Sequence, residues 1–183
     1  MILDKYTSQF IVRLKGLSER EKVIVALCNL YRQLPCVEQF DSFYNENLSD
    51  AFRASLSSLT DYLSGIPVDL LGVNKIAMLG PDSDEYPEPE GSIAQNAFGA
   101  LYYLCKYIGS RNDEDFLQSL DKAFESTDVL KYDEGSEEEE SHYFSEEAQN
   151  LEDLMDKVTQ SPISTEENIK NLLIYAQKNS IKR

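Results

Sequence analysis

Apolar residues recur along most of the chain at spacings of three and four, which is the period of an amphipathic α-helix. One clear stripe runs from Leu48 through Phe52 and Leu56 to Leu63, and it predicts a helix that ends near Gly65. No stretch alternates apolar and polar residues for long enough to predict a β-strand. The pattern therefore predicts an all-α fold, built as a bundle of helices.

Several short signals predict where helices begin. Ser18 followed by Glu21 has the spacing of a capping box, in which each side chain accepts a hydrogen bond from the other residue's backbone amide. The stripe after Ser18 reaches Pro35, which predicts either the end of that helix or the start of another. Further caps are predicted at Ser92, Asn112, Ser145 and Ser164. With one more helix near the N-terminus, the total is about seven or eight helices.

The length of 183 residues fits one domain, so we predict a single helical domain over residues 1–183. Two long acidic loops are predicted to interrupt it, at 80–91 and at 132–145. The first contains three prolines and five acidic residues. Loops of this length inside a compact domain are often functional.

The net charge of −16 is unevenly distributed. Residues 81–157 alone carry a net charge of −17, while the rest of the chain is close to neutral. Nucleic acid and anionic membrane surfaces are unfavourable partners for such a chain, because both attract positive charge. We therefore expect a positively charged protein partner, and neither nucleic acid nor a membrane.

A run of acidic residues is most often a solvated face, and that interpretation competes with a binding role here. Residues 133–147 nevertheless contain eight acids and no base, and aromatic residues adjoin the run. Aromatic side chains are favoured as anchors in protein interfaces. The first loop repeats this composition. The predicted partner-binding residues of the first loop are Asp82, Asp84, Glu85, Tyr86, Glu88 and Glu90. Those of the second are Tyr132, Asp133, Glu134, Glu137, Glu138, Glu139, Glu140, Tyr143 and Phe144.

The sequence offers no set of residues that predicts catalysis or metal binding. The single histidine, His142, stands beside acidic residues that favour its charged form over a neutral base. Asp82 and Asp84 match two positions of a calcium-binding loop, but Tyr86 and Pro87 stand where that loop needs an oxygen ligand and Gly. No phosphate-binding glycine motif occurs. We predict no catalytic residue, no metal and no cofactor, and hence a protein that is not an enzyme.

The cysteines and the N-terminus suggest a compartment. Cys28, Cys36 and Cys105 form neither a close pair nor an even set, which is typical of reduced thiols in a cytoplasm. Asp4 and Lys5 interrupt the apolar N-terminus, so no signal peptide is predicted. We expect a soluble, cytoplasmic protein.

Two stretches carry a resemblance to a known family. "LPCVEQF" places Pro35 five residues before Phe40, and "AQNAFGAL" sets Ala94, Ala97 and Ala100 at regular spacing. Together they resemble the YjaG-like bacterial family of small all-helical proteins with no established activity. The resemblance covers roughly residues 18–130. It implies an all-helical fold and supplies no catalytic residues.

By type, the chain also resembles the small acidic helical immunity proteins of bacterial toxin systems, which bind a toxin and cover its active surface. The leading prediction is accordingly a non-enzymatic immunity protein that occludes a basic toxin domain, such as a nuclease, in bacterial competition. One alternative is a YjaG-like housekeeping domain with an unassigned role that could be enzymatic. Another is a mimic of nucleic acid that occupies a DNA-binding protein.

Overall fold

The computed structural model describes the backbone of residues 1–5, 8–131, 137–160 and 165–181, and the side chains of all of these except residues 4, 5, 8 and 137–143. Within those ranges it contains eight α-helices, one short 3-10 helix at Ile2–Lys5 and no strand, which confirms the all-α prediction. The helices are α1 (Ser8–Gly16), α2 (Glu19–Tyr44), α3 (Ser49–Leu63), α4 (Leu70–Ala77), α5 (Pro89–Ser110), α6 (Asp113–Lys131), α7 (Glu137–Gln160) and α8 (Glu166–Lys178).

Helix α2 is the centre of the bundle, and it packs against α3, α5, α6, α7 and α8. It begins with the predicted capping box: the Glu21 amide donates to Ser18 Oγ, and the Ser18 amide donates to Glu21 Oε2 at 2.7 Å. Most of its 26 residues are buried, on every side of the helix. A helix that is buried all round is a core helix, so the other helices pack around it.

Pro35 lies inside α2, so the expectation that a helix ends or begins there is wrong. A proline removes its own N–H donor, and its ring crowds the carbonyl four residues earlier, that of Tyr31, which loses its usual partner. Tertiary contacts support the helix at this point. The carbonyl of Arg32 accepts a hydrogen bond from the amide of Ile181, in the segment that follows α8.

Helices α5 and α6 form an antiparallel pair joined by a tight turn at Arg111 and Asn112. The predicted cap at Asn112 is confirmed, since its Oδ1 accepts from the Glu114 amide at 3.1 Å. The alanines Ala94, Ala97 and Ala100 of the sequence motif are all fully buried. Small side chains at this spacing let neighbouring helices approach closely.

Helix α7 begins at Glu137, eight residues before the predicted start at Ser145. Residues 137–145 are therefore helical, and the predicted loop at 132–145 is wrong over this part. Glutamate is a good helix former, and carboxylates in the first turn favour the positive end of the helix dipole. The acidic run thus favours the start of α7, an effect that charge in a solvated loop would not have.

The other predicted boundaries shift for similar local reasons. Helix α5 begins at Pro89 rather than Ser92, because proline is well suited to the first turn of a helix. The acidic loop between α4 and α5 therefore ends at Glu88 rather than at 91. Thr165 caps α8 and accepts from the Asn168 amide. The predicted cap at Ser164 lies outside the described residues. None of the helices in the described ranges is both long and apolar enough to cross a membrane.

Phe144 should be important for stability, because its ring is only 6% exposed and belongs to the main core. We expect Phe144→Ala to lower the free energy of unfolding by about 3–5 kcal/mol. Phe43→Ala is the matched control, since the Phe43 ring is 57% exposed, and it should cost less than about 1 kcal/mol. Urea unfolding followed by circular dichroism measures both. Equal effects of the two substitutions would contradict the burial of Phe144.

Candidate functional site

The loop between α4 and α5 carries the part of the predicted binding surface that the structure describes most fully. Tyr86 anchors this loop to the last turns of α2. Its ring centre lies 5.0 Å from that of Phe40 and 4.8 Å from that of Tyr44, both in edge-to-face arrangements. Its hydroxyl donates to Glu46 Oε1 at 3.1 Å. This hydrogen bond is the main reason that the pKa of Tyr86 lies above its usual value.

Backbone contacts fix the rest of the loop. The carbonyl of Asp82 accepts from the amides of Glu85 and Tyr86, both at 3.0 Å. The Glu88 amide donates to the Tyr44 hydroxyl at 3.2 Å. Gly91 is required where the loop meets α5, because a Cβ there would lie 2.0 Å from the Tyr86 carbonyl oxygen. The loop therefore has one defined conformation on the end of α2.

Four carboxylates of this loop point into solvent: Asp82, Asp84, Glu85 and Glu88. We call these four residues the acidic surface. None of them forms an ion pair with the part of the chain that the structure describes. Solvent and counterions therefore screen their mutual repulsion.

Two of the predicted surface residues are not on the surface. Glu90 is 5% exposed, and Gln39 Nε2 donates to its Oε1 at 3.4 Å. It lies in the first turn of α5, where the sequence predicted loop. Phe144, predicted as an exposed anchor beside the second acidic run, is a core residue. Burial of these two side chains follows from helices that start earlier than predicted. Tyr86 is half-buried and so is only partly available for contact.

The rest of the second predicted segment cannot be placed side chain by side chain. Tyr132, Asp133 and Glu134 lie outside the described residues. The backbone of Glu137, Glu138, Glu139, Glu140 and Tyr143 forms the start of α7, and their side chains lie outside the described part, as does that of His142.

The start of α7 points toward the end of the bundle where α2 finishes. Arg13, just before α2, contacts Asp156 at 2.5 Å, whereas Arg32 in the middle of α2 contacts Glu147. The two helices therefore run antiparallel. Ten residues, or about 15 Å of helix, separate Glu147 from Glu137 in the direction of the α2 C-terminus. The backbone at the start of α7 is therefore directed toward the end of the bundle that carries the loop between α4 and α5.

Sequence reasoning missed a buried ion pair between Arg32 on α2 and Glu147 on α7. The guanidinium donates to both carboxylate oxygens, at 2.5 and 2.6 Å, and the two side chains are 3% and 6% exposed. Arg32 also donates to Asn29 Oδ1 and to the Asn179 carbonyl. Burial opposes the charge of Arg32, but Glu147 outweighs it, so the pKa of Arg32 lies above its ordinary value. Only the residue types could have hinted at this pair, since 115 positions separate them.

A small cavity of about 170 Å³ lies beside this ion pair. Lys131, Glu146, Asn150 and Ser180 contribute to its walls, together with the ion pair itself. Both oxygens of Glu147 accept hydrogen bonds from Arg32. Among the residues that the structure describes, no three His, Cys, Asp or Glu side chains converge in a way that could hold a metal ion.

The fold is similar to that of a DUF416 family protein from Shewanella baltica OS155. The two structures agree with a TM-score of 0.79 over 94% of this chain and 95% of that protein, at 18% sequence identity. This likeness shows the fold alone. It fits the expectation of an uncharacterised helical family that the sequence resemblance implied. No family model matches the sequence, and a comparison with curated proteins gives no match.

The three cysteines should be unreactive in the folded protein. Burial raises the pKa of Cys28, Cys36 and Cys105 to about 12. Because the thiolate is the reactive form, a pKa this high leaves only about one thiol in 10⁴ ionised at pH 8. We expect iodoacetamide to label the native protein slowly and the guanidinium-unfolded protein rapidly, as counted by intact mass. Fast labelling of the native protein at pH 8 would contradict this.

The Arg32–Glu147 pair should be costly to break but replaceable as a unit. Glu147→Leu or Arg32→Met alone leaves a buried charge without a partner, and each should lower the free energy of unfolding by about 3–5 kcal/mol. The double variant should cost less than either single one. The exposed pair of Arg53 and Glu38 is the control, and Arg53→Met should cost no more than about 1 kcal/mol. Denaturant unfolding of the full cycle measures this. Additive losses in the double variant would contradict the account.

Proposed function

We propose that this protein is a non-enzymatic binding protein whose acidic surface docks a basic protein partner. In the specific form that we propose, it is an immunity protein that occludes a toxin domain, such as a nuclease, in bacterial competition. The observation that carries the proposal is the acidic surface itself: four exposed carboxylates, without ion pairs in the described part of the chain, on a loop of fixed conformation.

Electrostatics supports a cationic partner. Like charges held close together raise the free energy of the free protein, and a positively charged surface would relieve that repulsion on binding. A focused negative field also speeds encounter with a basic protein, by about 10- to 10³-fold at low salt. Nuclease domains carry the positive charge that phosphate binding requires.

Preorganisation supports docking as well. Tyr86 and the hydrogen bonds of the loop hold the backbone from which the carboxylates project. A loop that is already ordered loses less conformational entropy on binding. The exposed ring of Phe43 lies against Tyr44, with ring centres 4.8 Å apart, and so adjoins the residues that hold the loop. It offers an apolar contact next to the charges, as interface anchors do.

A second candidate function rests on the fold likeness and on the cavity beside Arg32 and Glu147. The chain would then be a housekeeping domain of the YjaG-like kind, and the cavity would hold a small polar molecule. In that case the acidic surface serves solubility, and its neutralisation leaves the function unchanged.

The test is affinity capture from the native host at low salt, with the wild-type protein as bait. The loop variant carries Asp82→Asn, Asp84→Asn, Glu85→Gln and Glu88→Gln. The control variant neutralises four exposed carboxylates on other elements, with the substitutions Asp61→Asn, Glu114→Gln, Glu166→Gln and Glu167→Gln. Both variants change the net charge equally, so a difference between them reports the position of the charges.

We expect the wild type and the control variant to capture a protein with a basic domain, and the loop variant to bind it about tenfold or more slowly, with a weaker salt dependence. Expression of the captured protein should stop growth of a bacterial host, and co-expression of the wild type should restore it. A partner bound equally by the loop variant would overturn the role of the acidic surface. A captured partner that is not toxic would overturn the immunity assignment.

A further inference from the structure

Exposed apolar side chains are concentrated near α4. Seven large apolar residues are exposed in the part of the chain that the structure describes, and four of them fall within residues 66–79. These four are Ile66, Leu71, Met78 and Leu79, which are 51–69% exposed. Isolated exposed apolar residues are ordinary, but a cluster of them marks a surface that is covered in use.

One of these four residues, Met78, lines a groove of about 320 Å³ between the end of α4 and the middle of α5, and Leu79 is its neighbour in the chain. Met78, Pro81, Gln95, Phe98 and Tyr102 contribute to its walls. Most of the exposed groove surface is apolar. It has room for a bulky apolar side chain.

Two glycines, Gly80 and Gly99, contribute to the wall of this groove. Gly80 lies directly against Phe98, where a Cβ would stand 2.4 Å from the Phe98 Cβ. Gly99 leaves the wall of α5 without a side chain, and a Cβ there would meet only the aliphatic stem of Lys122. The amino group of Lys122 is paired with Glu125 at 2.5 Å, so this lysine does not leave an unpaired positive charge beside the groove.

The groove adjoins the acidic surface. Pro81 forms part of the groove wall, and Asp82 is the next residue of the chain. Asp84 and Glu85 follow within the same fixed turn. An apolar floor with a negative edge is complementary to a segment that carries a bulky apolar side chain beside Lys or Arg.

We propose that this groove binds a short cationic amphipathic segment of the partner, with its apolar side in the groove and its basic side chains against Asp82, Asp84 and Glu85. This inference rests on the proposed function and names the chemistry of the segment that docks first. Apolar anchors at regular spacing in a groove are a common mode of peptide recognition.

Charge argues against a second copy of this chain as the occupant. A symmetric dimer through the groove would bring two acidic surfaces together at one interface. Like charges that face each other across an interface oppose association. A cationic segment removes that repulsion.

The test uses three synthetic peptides of fourteen residues as probes: one of Leu and Lys in a helical amphipathic pattern, one with every Leu replaced by Ser, and one with every Lys replaced by Glu. Binding to the full-length protein is measured by fluorescence anisotropy and mapped by amide chemical shifts. The groove variant carries Met78→Ser and Leu79→Ser. Its control carries Val12→Ser and Ile174→Ser, which are exposed apolar positions elsewhere.

We expect the Leu/Lys peptide to shift amides of residues 77–102, and the groove variant to bind it about tenfold more weakly than wild type and control do. The Ser/Lys peptide should bind at least tenfold more weakly, and the Leu/Glu peptide should not bind. Equal affinity of groove variant and control, or shifts elsewhere, would overturn the inference. So would a wild-type dimer in sedimentation that the groove variant abolishes, because the occupant would then be a second copy.

The proposed function and the groove inference can be refuted independently of each other. If the loop variant loses the captured partner while the groove variant keeps it, the groove inference is wrong and the proposed function stands. If no basic partner is captured but the Leu/Lys peptide still binds in the groove, the proposed function fails and the groove remains a site for cationic segments.

Discussion

The middle of α2, from Lys22 to Val37, lies almost entirely inside the bundle, and the other helices are arranged around it. A polar side chain on that part of the helix has little access to solvent, so a partner within the protein stabilises it. Arg32 has the greatest need of a partner among these side chains, and Glu147 of α7 accepts two hydrogen bonds from it. That pairing fixes the position of α7 and also ties down the segment after α8, through the Asn179 carbonyl. We expect the ion pair to favour this arrangement of helices more than it adds net stability, because desolvation of both charges offsets their attraction.

The same constraint places the candidate site. Where α2 ends, its last aromatic residues, Phe40 and Tyr44, provide the base on which Tyr86 packs. This contact holds the loop between α4 and α5 in one conformation, and the carboxylates of the loop point outward. Because α7 runs antiparallel to α2, the first turn of α7 is directed to the same end. The acidic loop between α4 and α5 therefore lies at one end of the bundle with an apolar groove beside it, whereas Asp113 at the start of α6 pairs with Lys22 near the start of α2.

Much of the fold could be predicted from the sequence, because apolar spacing and capping residues are local signals. The capping box at Ser18 and the cap at Asn112 are examples that the structure confirms. The predictions of helix boundaries that were wrong have two different causes. Pro35 sits inside α2 because tertiary contacts support the helix there, and α7 starts early because a run of glutamates favours a helix N-terminus. For the candidate site, composition indicated an acidic loop at 80–91, which the structure ends at Glu88. It could not predict the anchoring role of Tyr86, the burial of Phe144 and Glu90, or the Arg32–Glu147 pair, since all of these depend on contacts between residues far apart in sequence.

We infer that contact with the end of α2 holds the acidic loop rigid before any partner binds. Backbone ¹⁵N relaxation of residues 82–88 in the free protein tests this most directly. We predict order parameters of about 0.85 for the loop, equal to those of α5. The substitution Tyr86→Ala should lower the order parameters of the loop alone. Values below about 0.6 in the wild-type loop would contradict the claim, because the carboxylates would then have no fixed arrangement to present.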